Sequence, residues 1–206
     1  MTSSPALSPF SPTTIADLVD RKRVMETGIR PLWHGARLVG PAFTVKCPPG
    51  DNLMLHAAIY RASPGDVLVV EAGDADFAMA GGNVCAVAQK LGIAGMVIDG
   101  VIRDLAEVRE MKFPVFARGV VPKPGLKAAL GSHGEAVRCG GVLVRAADMV
   151  VADEEGVVVV PSGEVAETAM LAQAKVDAEA AETLEQWQAA HEAKIDKALA
   201  ERGFHD

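Results

Sequence analysis

The middle of the chain predicts an α/β fold with a sheet that is at least partly parallel, and three observations point there. Between residues 63 and 118, short apolar runs alternate with segments of helical spacing over brief connections, as in βαβ units. The runs VLVVE (67–71) and GMVID (95–99) are apolar without alternation, as expected of strands buried on both faces. Apolar residues make up 50% of the chain but aromatics only 4%, so the core is aliphatic, sheet against helix. At 206 residues a single domain is expected.

The elements follow in order. Residues 1–12, rich in Ser and Pro, read as a loose arm. A short helix starts near Thr13 or Thr14, with Ile15, Leu18 and Val19 on one face. LVGPAFTVK (38–46) is a strand interrupted early by Pro41, and the turn CPPGD leads to a helix from about Asp51. Asp51 or Asn52 supplies its cap, and Leu53, His56, Ala57 and Tyr60 share helical spacing. SPGD (63–66) turns into VLVVE, and the loop AGDADFAMAGGN leads to a helix over 84–91 that Gly92 ends. After GMVID come a helix over 103–112 and a strand over 114–118. Residues 119–134, with Pro122, Pro124, Gly125, Gly131 and Gly134, are loop-like. GVLVR (141–145), DMVVAD (148–153) and GVVVVP (156–161) lack helix-length connections, so they are antiparallel or mixed strands. Residues 162–201 contain no Pro and one Gly, and they predict one long helix. Ser162 caps it, Glu164 and Glu167 suit its positive end, and Val165, Met170, Leu171, Ala174, Ala178 and Ala181 form a thin apolar stripe. The expected organisation is an arm (1–12), an α/β domain (13–161) and a helical arm (162–206). The helical arm either frays in solvent or packs on a neighbouring subunit.

Charge and composition narrow the function. With 27 acidic and 20 basic residues the net charge is −7, which argues against nucleic acid as a partner. No apolar run is long enough to span a membrane, and the N-terminus lacks the pattern of a secretory signal. Cys47, Cys85 and Cys139 form no CxxC pair and read as buried apolar residues, so a reducing cytoplasm is the expected location.

Chemistry is expected at two places. Gly81, Gly82 and Asn83 precede a helix, where a flexible backbone aims free N–H groups at an anion. DGVIRD (99–104) follows a buried strand, at the end where ligands collect in open α/β sheets. There Arg103 can grip a carboxylate or an oxyanion, and Asp104 offers a hard oxygen to a divalent cation. The competing interpretation is structural: Asp104 caps a helix and Arg103 pairs with an acid. His34 and His56 read as ordinary helix or loop residues, and Asp51 and Asn52 as a helix cap that could also line a cleft. No HExxH or GxSxG pattern occurs.

TVKCPPGDN, SPGDVLVVE, the GGN loop, LGIAGMVIDGVIRD, FPVFARG and GVLVR…ADEEGVVVVP occur in this order. Together they resemble the RraA-like family, which includes the 4-hydroxy-4-methyl-2-oxoglutarate and 4-carboxy-4-hydroxy-2-oxoadipate aldolases, over about residues 13–180. The resemblance implies an α-β-β-α sandwich of mixed sheets, of the swivelling-domain type, with a long C-terminal helix, assembled as a homotrimer or homohexamer with sites between subunits. It implies a metal-dependent lyase that releases pyruvate from a 4-hydroxy-2-oxo acid, with oxaloacetate decarboxylation as a side activity. By the same resemblance, Gly81, Gly82, Asn83 and Val84 hold the pyruvyl carboxylate through backbone N–H groups. Arg103 contacts the carbonyl side, and Asp104 binds Mg²⁺ or Mn²⁺. Glu179 of a neighbouring subunit, or alternatively Glu182, supports that metal through water.

The sequence departs from the pattern at Gly82, where the aldolases carry an acid 21 positions before the arginine; Asn83, Asp74 and Asp76 are candidates to replace it. A smaller departure is Ala146-Ala147, where the family tends to have Pro-Gly. The alternative function is a non-catalytic RraA-type regulator that binds a ribonuclease or another protein. Retention of Arg103 and Asp104 favours the enzyme.

Overall fold

The structure is a computed structural model and describes residues 6–204. In chain order the strands are β1 (Arg30–Pro31), β2 (Leu38–Lys46), β3 (Val67–Glu71), β4 (Gly95–Ile102), β5 (Val115–Val120), β6 (Ser132–His133), β7 (Val137–Cys139), β8 (Val142–Val144), β9 (Met149–Asp153) and β10 (Gly156–Val160). The α-helices are α1 (Pro12–Ala16), α2 (Leu53–Ala58), α3 (Gly82–Lys90), α4 (Leu105–Met111), α5 (Val165–Ala181) and α6 (Leu184–Ala200).

One mixed sheet organises the molecule, in the order β1-β5-β4-β3-β2-β9-β10, with β6 added on β2. The pairs β2–β3, β3–β4 and β4–β5 are parallel, and β2–β9, β9–β10 and β1–β5 are antiparallel. Pro41 marks the place where β2 changes partners. Residues 38–41 face β9, and residues 42–46 face β3. The two ends of the sheet approach each other: the Arg30 guanidinium reaches the Glu155 carbonyl at 3.5 Å, and the Met25 N–H donates to the Val157 carbonyl at 2.9 Å. The sheet is therefore nearly closed on itself.

The two-residue period of the strands sorts the apolar side chains into three packed regions. Val67, Val69, Val97, Phe116, Val150, Ala152, Val157 and Val159 point inward and meet between the two halves of the sheet. Leu68, Val70, Met96, Ile98 and Val115 point outward under α2, α3 and α4. Val151, Val158 and Val160 point out on the opposite side, under α1 and α5. Helix, sheet, sheet, helix is the resulting layering, as the family resemblance implies.

Four local expectations need correction. Where it is described, the N-terminal segment is packed: Leu7 is 0% and Phe10 5% exposed, both against the outer face of β9 and β10. Residues 1–5 lie outside the described residues. The C-terminal helix is two helices, because Glu182 is extended and the Thr183 hydroxyl accepts from the Gln186 N–H while Gln186 accepts from the Thr183 N–H. That reciprocal capping box starts a new helix. Ser162 does not cap α5; it opens a 3₁₀ turn over Ser162–Glu164. β7 was not foreseen. It forms a hairpin with β8 through Gly140 and Gly141, at φ of 53° and 78°, a turn that demands left-handed residues.

Candidate active site

β4 runs past its parallel register through a bulge between Ile98 and Val101, which carries Arg103 and Asp104 beyond the end of the sheet. Residues 78–80 run beside this extension: the Met79 N–H donates to the Val101 carbonyl at 2.8 Å, and the Arg103 N–H donates to the Ala80 carbonyl at 3.0 Å. The first turn of α3 is thereby laid against Arg103 and Asp104. Asp104 takes a left-handed conformation (φ 58°, ψ 41°), tolerated by Asp better than by most residues, and ends β4's run at the start of α4. Its Oδ2 accepts the Gly82 N–H at 3.0 Å and lies 3.4 Å from Arg103 Nε.

The glycines here answer to space rather than to torsion. Gly81 has an extended φ of −152°, yet a side chain there would run into the Asp104 carboxylate and approach Arg103 Cγ to 3.1 Å. A side chain at Gly82 would run into the Glu107 carboxylate and meet Glu107 Cδ at 2.7 Å. Glu107, on the first turn of α4, therefore occupies the place where an acid at position 82 would begin. Asp74 does not compensate. It lines a different cavity and accepts the Gly50 and Asp76 N–H groups.

Gly81, Asn83, Val84, Arg103 and Asp104 line one narrow cleft of about 70 Å³, with Asn52, His56, Ala78, Ala80, Pro124 and Lys127. Arg103 and Asp104 also border an adjoining cavity of about 270 Å³, walled by Leu105, Val120, Val121 and Pro122. Of the far wall, the sequence offered only Asn52, with Asp51, as a possible cleft residue; His56 and Lys127 were not expected there. Asp51 is a clamp: its carboxylate accepts from the N–H groups of Leu53 (2.8 Å), Ala128 (2.6 Å) and Ala129 (2.9 Å). Burial pushes the Asp51 carboxyl up, but these three donors and Lys127 outweigh it and hold it below its ordinary value. His56, expected to be an ordinary helix residue, faces the cleft. Burial, then the Lys127 and Arg103 charges, push its pKa down to about 4, so it is neutral near pH 7.

Glu179 does not join this cleft within one chain. It sits on α5, in the opposite outer layer, paired with Lys175 at 2.7 Å, and Lys175 also reaches Asp17 at 3.2 Å. Glu182 lines the same surface groove as Glu179. No cluster of three or more His, Cys, Asp or Glu side chains able to cage a metal occurs among the described residues. Asp104 Oδ1 accepts no hydrogen bond among them, so one hard oxygen is left, which suits a cation that keeps most of its waters, such as Mg²⁺. The three cysteines are free and buried, and burial pushes the Cys47 and Cys85 thiols up to about 11 and about 12 and the Cys139 thiol up as well, which disfavours the thiolate in each.

The cavity beside the carboxyl end of β3, about 390 Å³, is lined by Glu71, Asp99, Arg118 and Arg138 among others. Most of its charges are paired. Arg118 donates to Asp99 and to Glu26, and Glu71 pairs with Lys46 at 2.9 Å and accepts the Arg138 N–H at 2.7 Å. Among the described residues, no helix is long and apolar enough to cross a membrane.

Comparison with known proteins places this geometry. A Halalkalibacterium halodurans protein named "Putative 4-hydroxy-4-methyl-2-oxoglutarate aldolase" is 43% identical over 155 residues, 74% of each chain. A Burkholderia multivorans protein of the same name is 36% identical over 157 residues, 73% of this chain and 95% of that one. The solved RNA-processing inhibitor RraA from Thermus thermophilis superposes with a TM-score of 0.67 at 26% identity, covering 78% of this chain and 94% of that one. The family model described as Aldolase/RraA matches residues 12–159. This chain therefore belongs to the RraA-like family.

Proposed function

We propose that the protein is a divalent-metal-dependent lyase that cleaves a 4-hydroxy-2-oxo acid of the 4-hydroxy-4-methyl-2-oxoglutarate type, releasing pyruvate. The single observation that carries this is the Arg103–Asp104 pair beside the N–H groups that open α3, in a cleft. In such a cleavage the C3–C4 bond breaks, its electron pair passes to the pyruvate enolate, and the 4-hydroxyl gives up its proton. A site for it must stabilise negative charge on the C2 oxygen.

Each residue then has a task. The backbone N–H groups of the Gly81–Gly82–Asn83–Val84 turn, apart from the Gly82 N–H that Asp104 takes, hold the C1 carboxylate. Arg103 donates to the C2 oxygen as charge builds there. Asp104, with Glu179 of a neighbouring subunit acting through water, would hold Mg²⁺ or Mn²⁺. Such an ion would supply Lewis-acid stabilisation of the enolate. Glu107 stands over Gly82, and we assign to it the role of taking the hydroxyl proton. Loss of CO₂ from oxaloacetate gives the same enolate, so decarboxylation is the expected side activity. The need for a second subunit makes the working unit a homotrimer or homohexamer, with α5 and α6 as the arm that reaches across. The competing function is a non-catalytic RraA-type regulator, favoured by the structural likeness to the Thermus inhibitor.

Pyruvate release from 4-hydroxy-4-methyl-2-oxoglutarate and from oxaloacetate, with Mg²⁺ or Mn²⁺, tests the choice. The lyase should turn over both, and Arg103→Ala should lower the rate by about 10² or more. Rates no faster than the free metal with both substrates would leave only the regulator.

A further inference from the structure

The β7–β8 hairpin leaves one strand edge open. Gly140 and Gly141 form its two-residue turn, so Cys139 and Val142 close the ladder, and Val137 and Val144 bond again two residues on. Arg138 and Leu143, opposite each other between these pairs, turn their backbone groups outward. On the β7 side the outward group is met, since the Arg138 N–H donates to the Glu71 carboxylate at 2.7 Å. On the β8 side the Leu143 N–H and carbonyl have no partner among the described residues.

That edge borders a groove of about 600 Å³. A 3₁₀ turn, Arg21–Arg23, runs beside β8 and forms the other wall, fixed by the Asp20 carboxylate, which accepts the Lys22 N–H at 2.8 Å. Lys22 and Arg23 stand on that wall, and Arg138 and Arg145 on the hairpin. Leu143, 38% exposed, shares the outer face of the hairpin with Arg138 across the ladder and with Arg145 two residues on. None of these four cations makes an ion pair within 4.0 Å among the described residues. Arg138 is shared: burial raises the Glu71 carboxyl, and the Arg138 N–H, Lys46 and the Arg138 charge together bring it below its ordinary value. Two acids, Asp20 and Glu164, complete the lining.

This lining selects its ligand. An open strand edge binds an extended backbone, and the side chains beside it choose among sequences. The cations call for carboxylates or phosphates. No aromatic side chain lines the groove, so bases would have nothing to stack on, and Asp20 and Glu164 oppose a run of phosphates. The same two acids can accept amide N–H groups of a peptide. Cations along an edge also repel the same edge of a second copy.

We propose that this groove docks an extended acidic segment of another protein, which adds to β8 as a third strand. The segment residue opposite Leu143 is apolar and exchanges both backbone bonds with it. The two-residue period then places acids two positions before and after that residue, on the face that meets the cations. The assignment stands apart from the lyase function, because none of these residues lines the cleft of Arg103 and Asp104.

Fluorescence anisotropy with a labelled peptide, Thr-Glu-Thr-Leu-Thr-Glu-Thr, tests it. The wild type should bind the peptide saturably at about 50 mM salt, and about threefold or more weakly at about 300 mM. Lys22→Glu with Arg23→Glu, and separately Arg145→Glu, should each weaken binding by about tenfold or more. Arg145→Gln should fall between and serves if a charge reversal does not fold. Methylating the leucine nitrogen of the peptide, which removes one backbone bond, should cost about fivefold or more. Absence of binding, or binding that survives the charge reversals or the methylation, would overturn the proposal. So would a single-stranded RNA of equal charge that binds as tightly, or a peptide-induced fall in mass by light scattering, which would make the groove a contact between copies. The same variants should release pyruvate at the wild-type rate, so a failure of this groove and a failure of the lyase are seen separately.

Discussion

Ala147 adopts φ of +68°, the left-handed region, in the turn before β9, where its N–H donates to the Ala42 carbonyl at 2.9 Å. An L-residue with a β-carbon pays about 1 kcal/mol there relative to glycine. Ala147→Gly should therefore raise the melting temperature by about 2–4 °C, read by calorimetry; a fall would mean that the turn relies on the methyl group. The resemblance to the family flagged this position but not its torsion, which only the folded turn reveals. Legibility at the cleft divides in a similar way. Gly81, Asn83, Val84, Arg103 and Asp104 belong to two local motifs, a helix start and a strand end, and local patterns are readable. Asn52, His56 and Lys127 come from segments up to 75 residues apart, and only the backbone bonds of Asn52 to Leu126 and of Asp51 to Ala128 and Ala129 bring them together. Glu107 over Gly82 belongs to the same kind: nothing in the spacing of either residue announces it.

Among the elements, β2, β3, β9 and β10 are where the sequence placed them, because buried β-branched runs bounded by turn residues have few alternatives. β7 is three residues long, too short for a period to register; its signal was the Gly-Gly turn that follows it. The break between α5 and α6 was also present, as Thr183 with Gln186 three residues on, but the even polar composition masked it. α5 is tied to the body through Thr168, Ala172 and Lys175, whereas α6 has no buried residue and exposes Leu184, Trp187 and Ile195. Truncation after Glu182 should thus leave the melting temperature within about 2 °C, because little apolar area leaves the core. If α5 and α6 together form the arm that reaches a neighbour, truncation after Pro161, which removes both, should reduce the mass seen by light scattering to that of one chain. An unchanged mass would place the assembly contacts elsewhere.

At the scale of the whole molecule, the cleft leaves a mark on stability. His56 is held neutral in the folded chain, with its pKa pushed down to about 4, while in the unfolded chain it takes a proton near its ordinary 6.5. Protonation then favours unfolding, so this contribution is complete above pH 6.5 and is lost as the pH falls towards 4. Asp51, held below its ordinary value, loses its contribution only at lower pH still. Urea midpoints of the wild type should decline over pH 6.5 to 4, and His56→Gln should flatten that segment; parallel curves would mean that other groups govern it. The bulge in β4 and the turn that opens α3 converge on Asp104, whose free oxygen we propose as the hold for the metal of the lyase. The most direct test is pyruvate release from 4-hydroxy-4-methyl-2-oxoglutarate as Mg²⁺ is titrated, for the wild type and for Asp104→Ala. A saturable rise in the wild type, with the variant at least about 10²-fold slower but equally stable, is the predicted result. A variant as fast as the wild type, or a wild type no faster than Mg²⁺ alone, would contradict it.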